Sequence, residues 1–550
     1  WSIFYPLFLP APPEGIESIV FNDAIFLVKY DHQSLKREQL LRENMILSLD
    51  LGTSHIKAGL FARSGEIIRT AKHATNIHHH PSGSKFYDPE EMWAGVITII
   101  NTILEEANPK EVLTIGITSM AETGLLVDKR TGYVRSEMIP WHDARAVSQV
   151  NELTQDREPF LQFCRSGIRP NFKCSLAKLL WLRDTSPGLL NGSTWLSTAD
   201  YIAFRLTDVM ATDYSLAGRT YAFRIDELTW DEDWLQELGL PADIFPQAYP
   251  STRPIGELNK AAASLLGLRP GLPICICGHD HVCAAFAAAG TGPGKVLDSM
   301  GTAEALIGSF DQVKLGDKEY ESGLVFGRHV SGGGYYWMGG MSTSGGSLDW
   351  LRKILGEPQL TYEEFERLVE AIPPGPTRII FLPYLAGSGS PHTDIHLRGA
   401  FIGLDQAHDR YDLIKAIFEG TAFEMEFIRQ AAQGILKDQI SSLVAAGGGS
   451  RITHWMQVKA DVSGCDIEVP TLSDATLLGA ALVAGIGSNL YDDEAQARTS
   501  FLNSPGVFFH PNRSHHQLYQ QLYHEGFVPL QEPLRTFSKK LSSAFSTAEG

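Results

Sequence analysis

The stretch Ile46-Leu-Ser-Leu-Asp-Leu-Gly-Thr-Ser-His-Ile-Lys-Ala-Gly-Leu-Phe61 decides how the whole chain is read. An apolar run of strand length reaches a carboxylate, Asp50, turns through Gly52, Thr53 and Ser54, and runs back out from Ile56 to Phe61. Two β-type runs joined by a small polar turn predict a hairpin. A carboxylate at a strand end, followed by backbone N–H groups and two hydroxyls, suits a polyphosphate with its Mg2+. Glycine lets the backbone approach closely, N–H and hydroxyl groups donate to phosphate oxygens, and the carboxylate holds the metal through its waters. Lys57 returns on the second strand and adds a positive charge, or simply sits solvated on the surface. So short a motif also fits an ordinary hairpin with a polar tip.

The rest of the chain arbitrates, because the pattern recurs. Lys295-Val-Leu-Asp-Ser-Met-Gly-Thr-Ala-Glu-Ala-Leu-Ile-Gly308 again reads strand, carboxylate, Gly-Thr turn, strand. Each copy has a third strand in prospect, Glu66 to Ala71 for the first and Tyr335 to Met338 for the second, and Gly290-Thr-Gly-Pro-Gly294 supplies hinge-like punctuation between them. An internal duplication of a supersecondary unit predicts two similar α/β lobes facing a cleft, one over residues 45–290 and the other over 291–550.

Between the copies, apolar residues at helical spacing mark Glu90 to Glu106 as an amphipathic helix behind the acidic start Asp88-Pro-Glu-Glu91. Val112 to Thr118 is a buried-type strand ending in Ser119-Met-Ala-Glu-Thr-Gly124, and Leu125 to Asp128 resumes β character. Leu176 to Phe223 reads as mainly helical, with Ser197-Thr-Ala-Asp200 as a capped start. The strand Leu272 to Cys277 ends in Gly278-His-Asp-His281, and Val282 to Ala289 follows as a small-residue helix. In the second half, Leu443-Val-Ala-Ala-Gly-Gly-Gly-Ser-Arg451 is a strand ending in three glycines ahead of the helix Thr453 to Val462. That arrangement presents N–H groups to an anionic or nucleotide ligand. It is not a dinucleotide fingerprint, because Ile452 stands where the third glycine belongs. Leu477 to Ala484 is a close-packed helix, and the tail after Ser514 reads as a surface helix with a frayed end.

Composition narrows the partners. A chain of 550 residues with 43% hydrophobic and 20% charged residues is that of a globular protein with a large core. A net charge of −18 excludes nucleic acid as a generic partner, yet leaves room for one small phosphorylated ligand at a local site. Six cysteines, Cys164, Cys174, Cys275, Cys277, Cys283 and Cys465, are spread thinly, which predicts reduced thiols and a cytoplasmic setting. No apolar run approaches the roughly 18–20 residues of a membrane span. Trp1 to Pro13 is aromatic and proline-rich without the features of a signal peptide, and Met45 directly precedes the first core strand. Residues 1–44 are therefore expected to be an extension with no part in the chemistry, although Ile16 to Tyr30 has strand character.

Several clusters have a plain structural reading. Asp280 serves as a helix N-cap or as a base. His279 and His281 flank it as neighbours rather than as ligands, although His281, following directly, is placed to touch a substrate. Cys275-Ile-Cys277 with Cys283 lacks a second Cys/His pair at zinc spacing and reads as buried thiols. His78-His-His80-Pro81 is a solvated loop, and Tyr335, Tyr336 and Trp337 are core.

Taken in order, the pieces resemble the FGGY family of carbohydrate kinases. The matching motifs are Asp50-Leu-Gly-Thr-Ser-His-Ile-Lys57, Gly116-Ile-Thr-Ser-Met-Ala-Glu-Thr-Gly124, Trp141-His-Asp-Ala-Arg145, Thr212-Asp-Tyr-Ser-Leu-Ala217, Gly278-His-Asp-His281, Asp298-Ser-Met-Gly-Thr302, Glu419-Gly-Thr-Ala-Phe423, Gly447-Gly-Gly-Ser450 and Leu478-Gly-Ala-Ala481. The resemblance implies two ribonuclease-H-like domains of the actin, Hsp70 and sugar-kinase superfold, with ATP and a sugar bound in the cleft. It implies Asp280 as the catalytic base, and Asp50, Gly52, Thr53, Ser54 and Lys57 at Mg2+ and the phosphates. Gly301 and Thr302 would meet phosphate from the other lobe, with Gly447, Gly448, Gly449, Ser450 and Arg451 around the adenosine. Glu122, Trp141, Asp143, Arg145 and His281 would face the acceptor, with Asp143 and Arg145 either binding hydroxyls or bracing the loop. Ala121 stands where glycerol kinases have Arg, and the Met-His pair of xylulokinases is absent, so the acceptor is expected to be a ketose, sugar alcohol or aldonate of about four to six carbons. Relatives are usually dimers, which implies a homodimer by analogy. A catalytically silent sugar- or ATP-sensing regulator on the same scaffold, or an ATPase chaperone or actin-like protein, are the rival readings. Retention of Asp50, both Gly-Thr turns and Asp280 weighs against the first, and Glu122, Trp141 and Asp280 together weigh against the second.

Overall fold

The computed structural model describes residues 16–21, 24–29 and 44–546, apart from 156, 290, 293, 312–313, 357, 473 and 502–505. Two mixed sheets organise it. The first runs, in spatial order, Gly256–Glu257, Pro273–His279, Val112–Ser119, Met45–Leu51, His55–Ala62 and Ile67–Ala74. Met45–Leu51, His55–Ala62 and Ile67–Ala74 form an antiparallel meander, while Val112–Ser119 and Pro273–His279 pair parallel on its other side.

The second sheet repeats this plan. Lys295–Met300, Glu304–Phe310 and Tyr335–Met341 make the meander, and Ser442–Ala446 and Asp466–Val469 add on in parallel. Val325–Arg328 and Val507–Phe509 extend the two edges. The duplicated hairpin read from the sequence thus heads two equivalent sheets. Tyr335, Tyr336 and Trp337 are buried in the second, as expected. Gly290 and Pro293 of the expected hinge lie outside the described residues.

Two helices cross between the halves. Asp280–Ala288, which continues from the first sheet, packs on Lys295–Met300 and Glu304–Phe310 of the second. Ala475–Gly487, from the second half, packs on Met45–Leu51, Val112–Ser119 and Pro273–His279 of the first. Small residues permit the crossing: a Cβ on Gly479 would collide with the Cys283 carbonyl, and one on Gly116 would stand 2.6 Å from the Ala480 carbonyl. Cys275, Cys277 and Cys283 are buried in this seam, and all six cysteines are free thiols.

Two expectations need correction. Leu176 to Phe223 is not mainly helical: helices Ser175–Thr185 and Thr198–Thr207 are separated by the strand Ser193–Ser197, which pairs antiparallel with Gly124–Asp128. Tertiary pairing overrides local preference there. The helix at Thr198 does carry the expected capping box, Ser197 with Asp200. The tail is more than a surface helix, because Tyr519, Tyr523 and Phe527 recur every fourth residue and are buried against Phe423. That spacing is one face of a helix. The strand character expected near the start of the chain is present: Ile16–Phe21 and Ala24–Lys29 pair antiparallel with each other. The remainder of the expected N-terminal extension before Asn44 lies outside the described residues. No helix among the described residues is long and apolar enough to cross a membrane.

Candidate active site

The ends of the central strands bring the candidate residues together. Asp50 closes the first strand and is buried, with Oδ2 3.4 Å from Lys57 Nζ on the partner strand. Burial, with the charges of Asp280 and Asp474, pushes the Asp50 carboxyl up to about 7 against the pull of Lys57. Its Oδ1 is buried and accepts no hydrogen bond. Gly52 turns tightly, N–H to the His55 carbonyl at 3.0 Å. The Thr53 hydroxyl accepts Trp141 Nε1–H at 3.0 Å, which ties the turn to the Trp141 loop. Ser54 is exposed.

Asp280 stands at the first turn of the helix Asp280–Ala288, immediately after the strand Pro273–His279. The residue before it, His279, occupies the cap position without a side-chain cap bond, so Asp280 is not the N-cap. Its Oδ1 accepts the His281 N–H at 2.7 Å and faces His279 Nε2 at 3.3 Å. Burial raises its pKa, with His281 and Lys57 opposing. Gly278 makes the approach possible: φ is +95°, the pairing register shifts there, and a Cβ would strike Ser215 Oγ. Ser215 Oγ instead accepts the His279 N–H at 2.9 Å. Ligand-type atoms of His279, Asp280 and His281 lie within 4.8 Å of one another. Burial depresses His279 well below the ordinary histidine range, which keeps its ring neutral beside the carboxylate.

Glu122 adopts φ +64°, a conformation that bulky residues seldom take. Lys178 Nζ donates to its carbonyl, and Arg219 donates to Oε1 from Nε at 3.1 Å and Nη2 at 2.5 Å. The carboxyl is held below its ordinary range despite burial, by Arg219, Lys173 and Lys178. Trp141 N–H donates to the Thr123 hydroxyl at 3.0 Å, which ties its backbone to the residue after Glu122.

Asp143 and Arg145 come out as braces. Asp143 Oδ1 accepts from Arg145 N at 2.9 Å and Nε at 2.7 Å, and Oδ2 accepts the Lys85 N–H at 2.5 Å. Arg145 also binds Glu137 and the Lys85 carbonyl, and its side chain is only 5% exposed. Both groups are spent within the loop. His281 lies half-buried with its ring edge-on to His279, at 5.4 Å between centroids.

In the second half, the turn Gly301-Thr302 and the glycine loop meet. Gly447 has φ +108°, and a Cβ there would collide with the Met300 carbonyl. Gly448 has open space, and Ser450 Oγ donates back to the Gly447 carbonyl at 2.8 Å. Arg451 is exposed. The Gly301 and Thr302 carbonyls accept from Gly345 N and Ser344 N at 3.1 and 2.9 Å, which closes the turn against the helix Gly345–Leu355.

The second hairpin does not reproduce the first carboxylate. Counting back from the Gly-Thr turn, Ser299 occupies the Asp50 position, and Asp298 is one residue off, on the opposite face. Asp298 is fully buried, and Lys459 Nζ joins it to Glu304 at 2.7 and 2.6 Å. Lys459, Arg219, Lys178 and Asp474 went unread in the sequence. The one signal was a lysine within the apolar run Leu176-Ala-Lys-Leu-Leu180.

Two duplicated lobes, a carboxylate at a helix start, a hairpin turn at the first strand and a glycine loop opposite define a carbohydrate kinase. Comparison with known proteins carries this further. Residues 45–287 match the N-terminal domain of the FGGY family of carbohydrate kinases and residues 301–488 its C-terminal domain. The chain is 27% identical to a xylulose kinase of Bacillus subtilis over 91% of its own length and 99% of the relative's. It is 32% identical to a glycerol kinase of Thermus brockianus, covering 80% of this chain and 90% of that one. The crystal structure of xylulose kinase from Rhodospirillum rubrum superposes with a TM-score of 0.78 at 26% identity, over 90% of this chain and all of that one. The chain belongs to the FGGY family of carbohydrate kinases.

Proposed function

We propose that this kinase transfers the γ-phosphoryl group of ATP to one hydroxyl of a small ketose, sugar alcohol or aldonate of about four to six carbons, with Asp280 as proton acceptor. The acceptor oxygen bonds to phosphorus, the bond from phosphorus to the ADP oxygen breaks, and the hydroxyl proton passes to Asp280. The observation that carries the reading is the state of that carboxylate. Its Oδ1 is occupied by His281 N–H, whereas its Oδ2 takes no hydrogen bond among the described residues, and the side chain is 23% exposed, within electrostatic reach of Lys57 and Glu122. Glu122 is presented in the same way: Arg219 holds Oε1, and Oε2 is left to accept from a substrate hydroxyl. Trp141 offers an apolar wall to the carbon chain.

In this reading residues 45–290 carry the acceptor and the base, and residues 291–550 carry the nucleotide. Gly301 and Thr302 face its phosphates, and Gly447, Gly448, Gly449, Ser450 and Arg451 its adenosine, on the support of the close approach of Gly447 to Met300. Gly52, Thr53 and Ser54 offer backbone N–H groups, and Lys57 an ammonium, from the first lobe. Asp50 fits Mg2+: it is a hard oxygen donor with a buried Oδ1 that has no hydrogen-bond donor of its own. The ion, when it accompanies the nucleotide, offsets charge on the phosphate oxygens. Lobe closure over the two helices of the seam excludes water, which favours the sugar hydroxyl over hydrolysis. The six free thiols suit a cytoplasmic enzyme.

The test is ADP release, measured with a coupled assay against a panel of tetritols, pentuloses, hexuloses and aldonates, for the native chain and Asp280→Asn. Transfer to at least one acceptor by the native chain, with loss of at least about 100-fold in the variant and unchanged ADP binding, is the expected result. Near-normal turnover by the variant removes Asp280 from the role of base.

A further inference from the structure

We infer that the acceptor carries a carboxylate, an aldonate rather than a neutral sugar or polyol, and that Lys173 is the residue that selects it. The inference rests on the acceptor site proposed above and specifies its substrate class.

Lys178 fixes the arrangement. Its ammonium, fully buried, donates both to the Glu122 carbonyl and to the Lys173 carbonyl, the latter at 2.9 Å, and so pins the two backbones side by side. It makes no ion pair among the described residues, and burial drops it to about 8. Lys173 Nζ is carried over the face of Trp141, 5.0 Å from the ring centroid. The Lys173 side chain likewise has no carboxylate partner and no hydrogen bond among the described residues, and the residue is only partly exposed. With Arg219 these lysines set three cations around one carboxylate, Glu122. The neighbouring carboxylate, Asp143, is consumed by Arg145 and the Lys85 backbone. His142 nearby is depressed by burial and by Lys85, Lys178 and Lys173, with Asp143 opposing.

In a chain of net charge −18, two lysines without a salt bridge among the described residues, Lys173 and Lys178, stand beside Glu122, with Asp280 the further carboxylate in range. A neutral polyol supplies hydroxyls to Glu122 Oε2 but nothing to these cations. An aldonate supplies both, with its hydroxyls at Glu122 and its carboxylate at the Lys173 ammonium beside Trp141. Desolvated cations paired to a ligand anion discriminate strongly against the uncharged analogue, because the site's charge is then left unpaired.

The experiment is isothermal titration of the full chain with matched pairs in the presence of ADP and Mg2+: erythronate and erythritol, xylonate and xylitol, gluconate and sorbitol, with gluconate 6-phosphate and glucose 6-phosphate as further anions. The best aldonate is expected to bind at least tenfold tighter than its own alditol. Lys173→Met, at a side chain with no structural hydrogen bond, is expected to erase that ratio while melting temperature and ADP affinity stay put, and Lys173→Arg to retain it. Alditols or ketoses binding as tightly as aldonates overturns the carboxylate but leaves the kinase reading standing, as does a preference for a sugar phosphate. A ratio that survives in Lys173→Met overturns the assignment of that residue. Failure of every compound, charged and neutral, overturns the acceptor site together with the inference built on it.

Discussion

The Lys57 ammonium, on the second strand of the first hairpin, donates to Asp474 Oδ2 at 3.0 Å, across a separation of 417 residues. Asp474 meanwhile caps the helix Ala475–Gly487, its Oδ1 accepting from Thr476 N and Leu477 N at 3.1 Å each. One carboxylate thus serves a helix of the second half and holds a lysine beside Asp50 in the first. Lys57 is 38% exposed, so the ion pair itself adds little to stability. Its value is in where the ammonium is held.

Asp474→Asn separates the two jobs. Asparagine caps about as well as aspartate, so the melting temperature should move little, by less than about 1 kcal/mol of stability. Lys57 loses one of its two anchors, and kcat is expected to fall about tenfold, a shift of about 1.4 kcal/mol in the barrier. Steady-state kcat and KM for ATP, alongside thermal unfolding, check this. An unchanged kcat would show that Lys57 is held well enough by Asp50 alone.

Gly278→Ala tests how Asp280 is aimed. The added Cβ would strike Ser215 Oγ and stand 2.8 Å from Asp213 Oδ2, a carboxylate already committed to Ser251 Oγ at 2.6 Å and Ser215 N at 2.9 Å. Alanine also tolerates φ +95° poorly. Relief means moving the backbone two residues before Asp280. A displacement near 1 Å at a reacting group costs on the order of 100-fold in rate, so kcat is expected to drop by about that factor while ADP binding, which is remote, persists. Retention of full kcat by a folded variant would show that the strand end can shift without moving Asp280.

How much of this was legible follows from the range of each interaction. The two hairpins, the strand before Gly278 and the glycine loop were readable because period-2 apolar runs and glycines act over a few residues. Asp280 by itself reads equally as a helix cap, and it is the resemblance to the FGGY motif Gly278-His-Asp-His281 that points to a base. The offset of Asp298 was present in the sequence, since it stands three residues before Gly301 where Asp50 stands two before Gly52. Reading the pattern as "carboxylate, then Gly-Thr" without counting hid the reversal of face. Lys57 with Asp474, Arg219 with Glu122 and Lys459 with Asp298 are pairings between distant segments, and nothing in local periodicity announces them. Asp143 and Arg145 read in the sequence as either hydroxyl ligands or loop braces, and only the Lys85 and Glu137 contacts show them engaged within the loop.

The offset carboxylate yields a prediction of its own. Among the described residues Lys459 is the one cation paired with both Asp298 and Glu304, and all three side chains are at most 1% exposed. Burial and Asp298 already push Glu304 up to about 8. Lys459→Met leaves two facing buried carboxylates without their cation, which costs about 3–5 kcal/mol. Because Asp298 and Glu304 flank the Gly301-Thr302 turn, the same variant is expected to weaken ADP binding. Denaturant unfolding and ADP titration read the two effects, and a variant as stable as the native chain would mean that water or a proton substitutes for the lysine.

Glu424 provides the pH dependence. It lies on the helix Arg410–Gln433, is buried, and accepts the Tyr384 hydroxyl at 2.7 Å. Burial raises its carboxyl from 4.5 to about 7, with Tyr384 and Arg535 opposing. A carboxyl that binds its proton more tightly in the folded state than in the unfolded one contributes stability that is complete below the unfolded value. That contribution is lost as pH rises through the folded value. Between about pH 4.5 and about pH 7 the native chain therefore loses stability through this group, by about 3 kcal/mol at most. Glutamine keeps the acceptor for Tyr384 and carries no charge at any pH. Glu424→Gln is accordingly expected to match the native chain near pH 4.5 and to exceed it progressively up to pH 8. Asp200 and Glu419 are also raised to about 7 by burial, so the native curve alone is a sum of several groups. The difference between variant and native unfolding free energies, followed against pH, isolates Glu424. A difference that stays flat from pH 4.5 to pH 8 would show that this side chain titrates alike in the folded and unfolded chain, and that burial behind Tyr384 and Gln531 does not shift it.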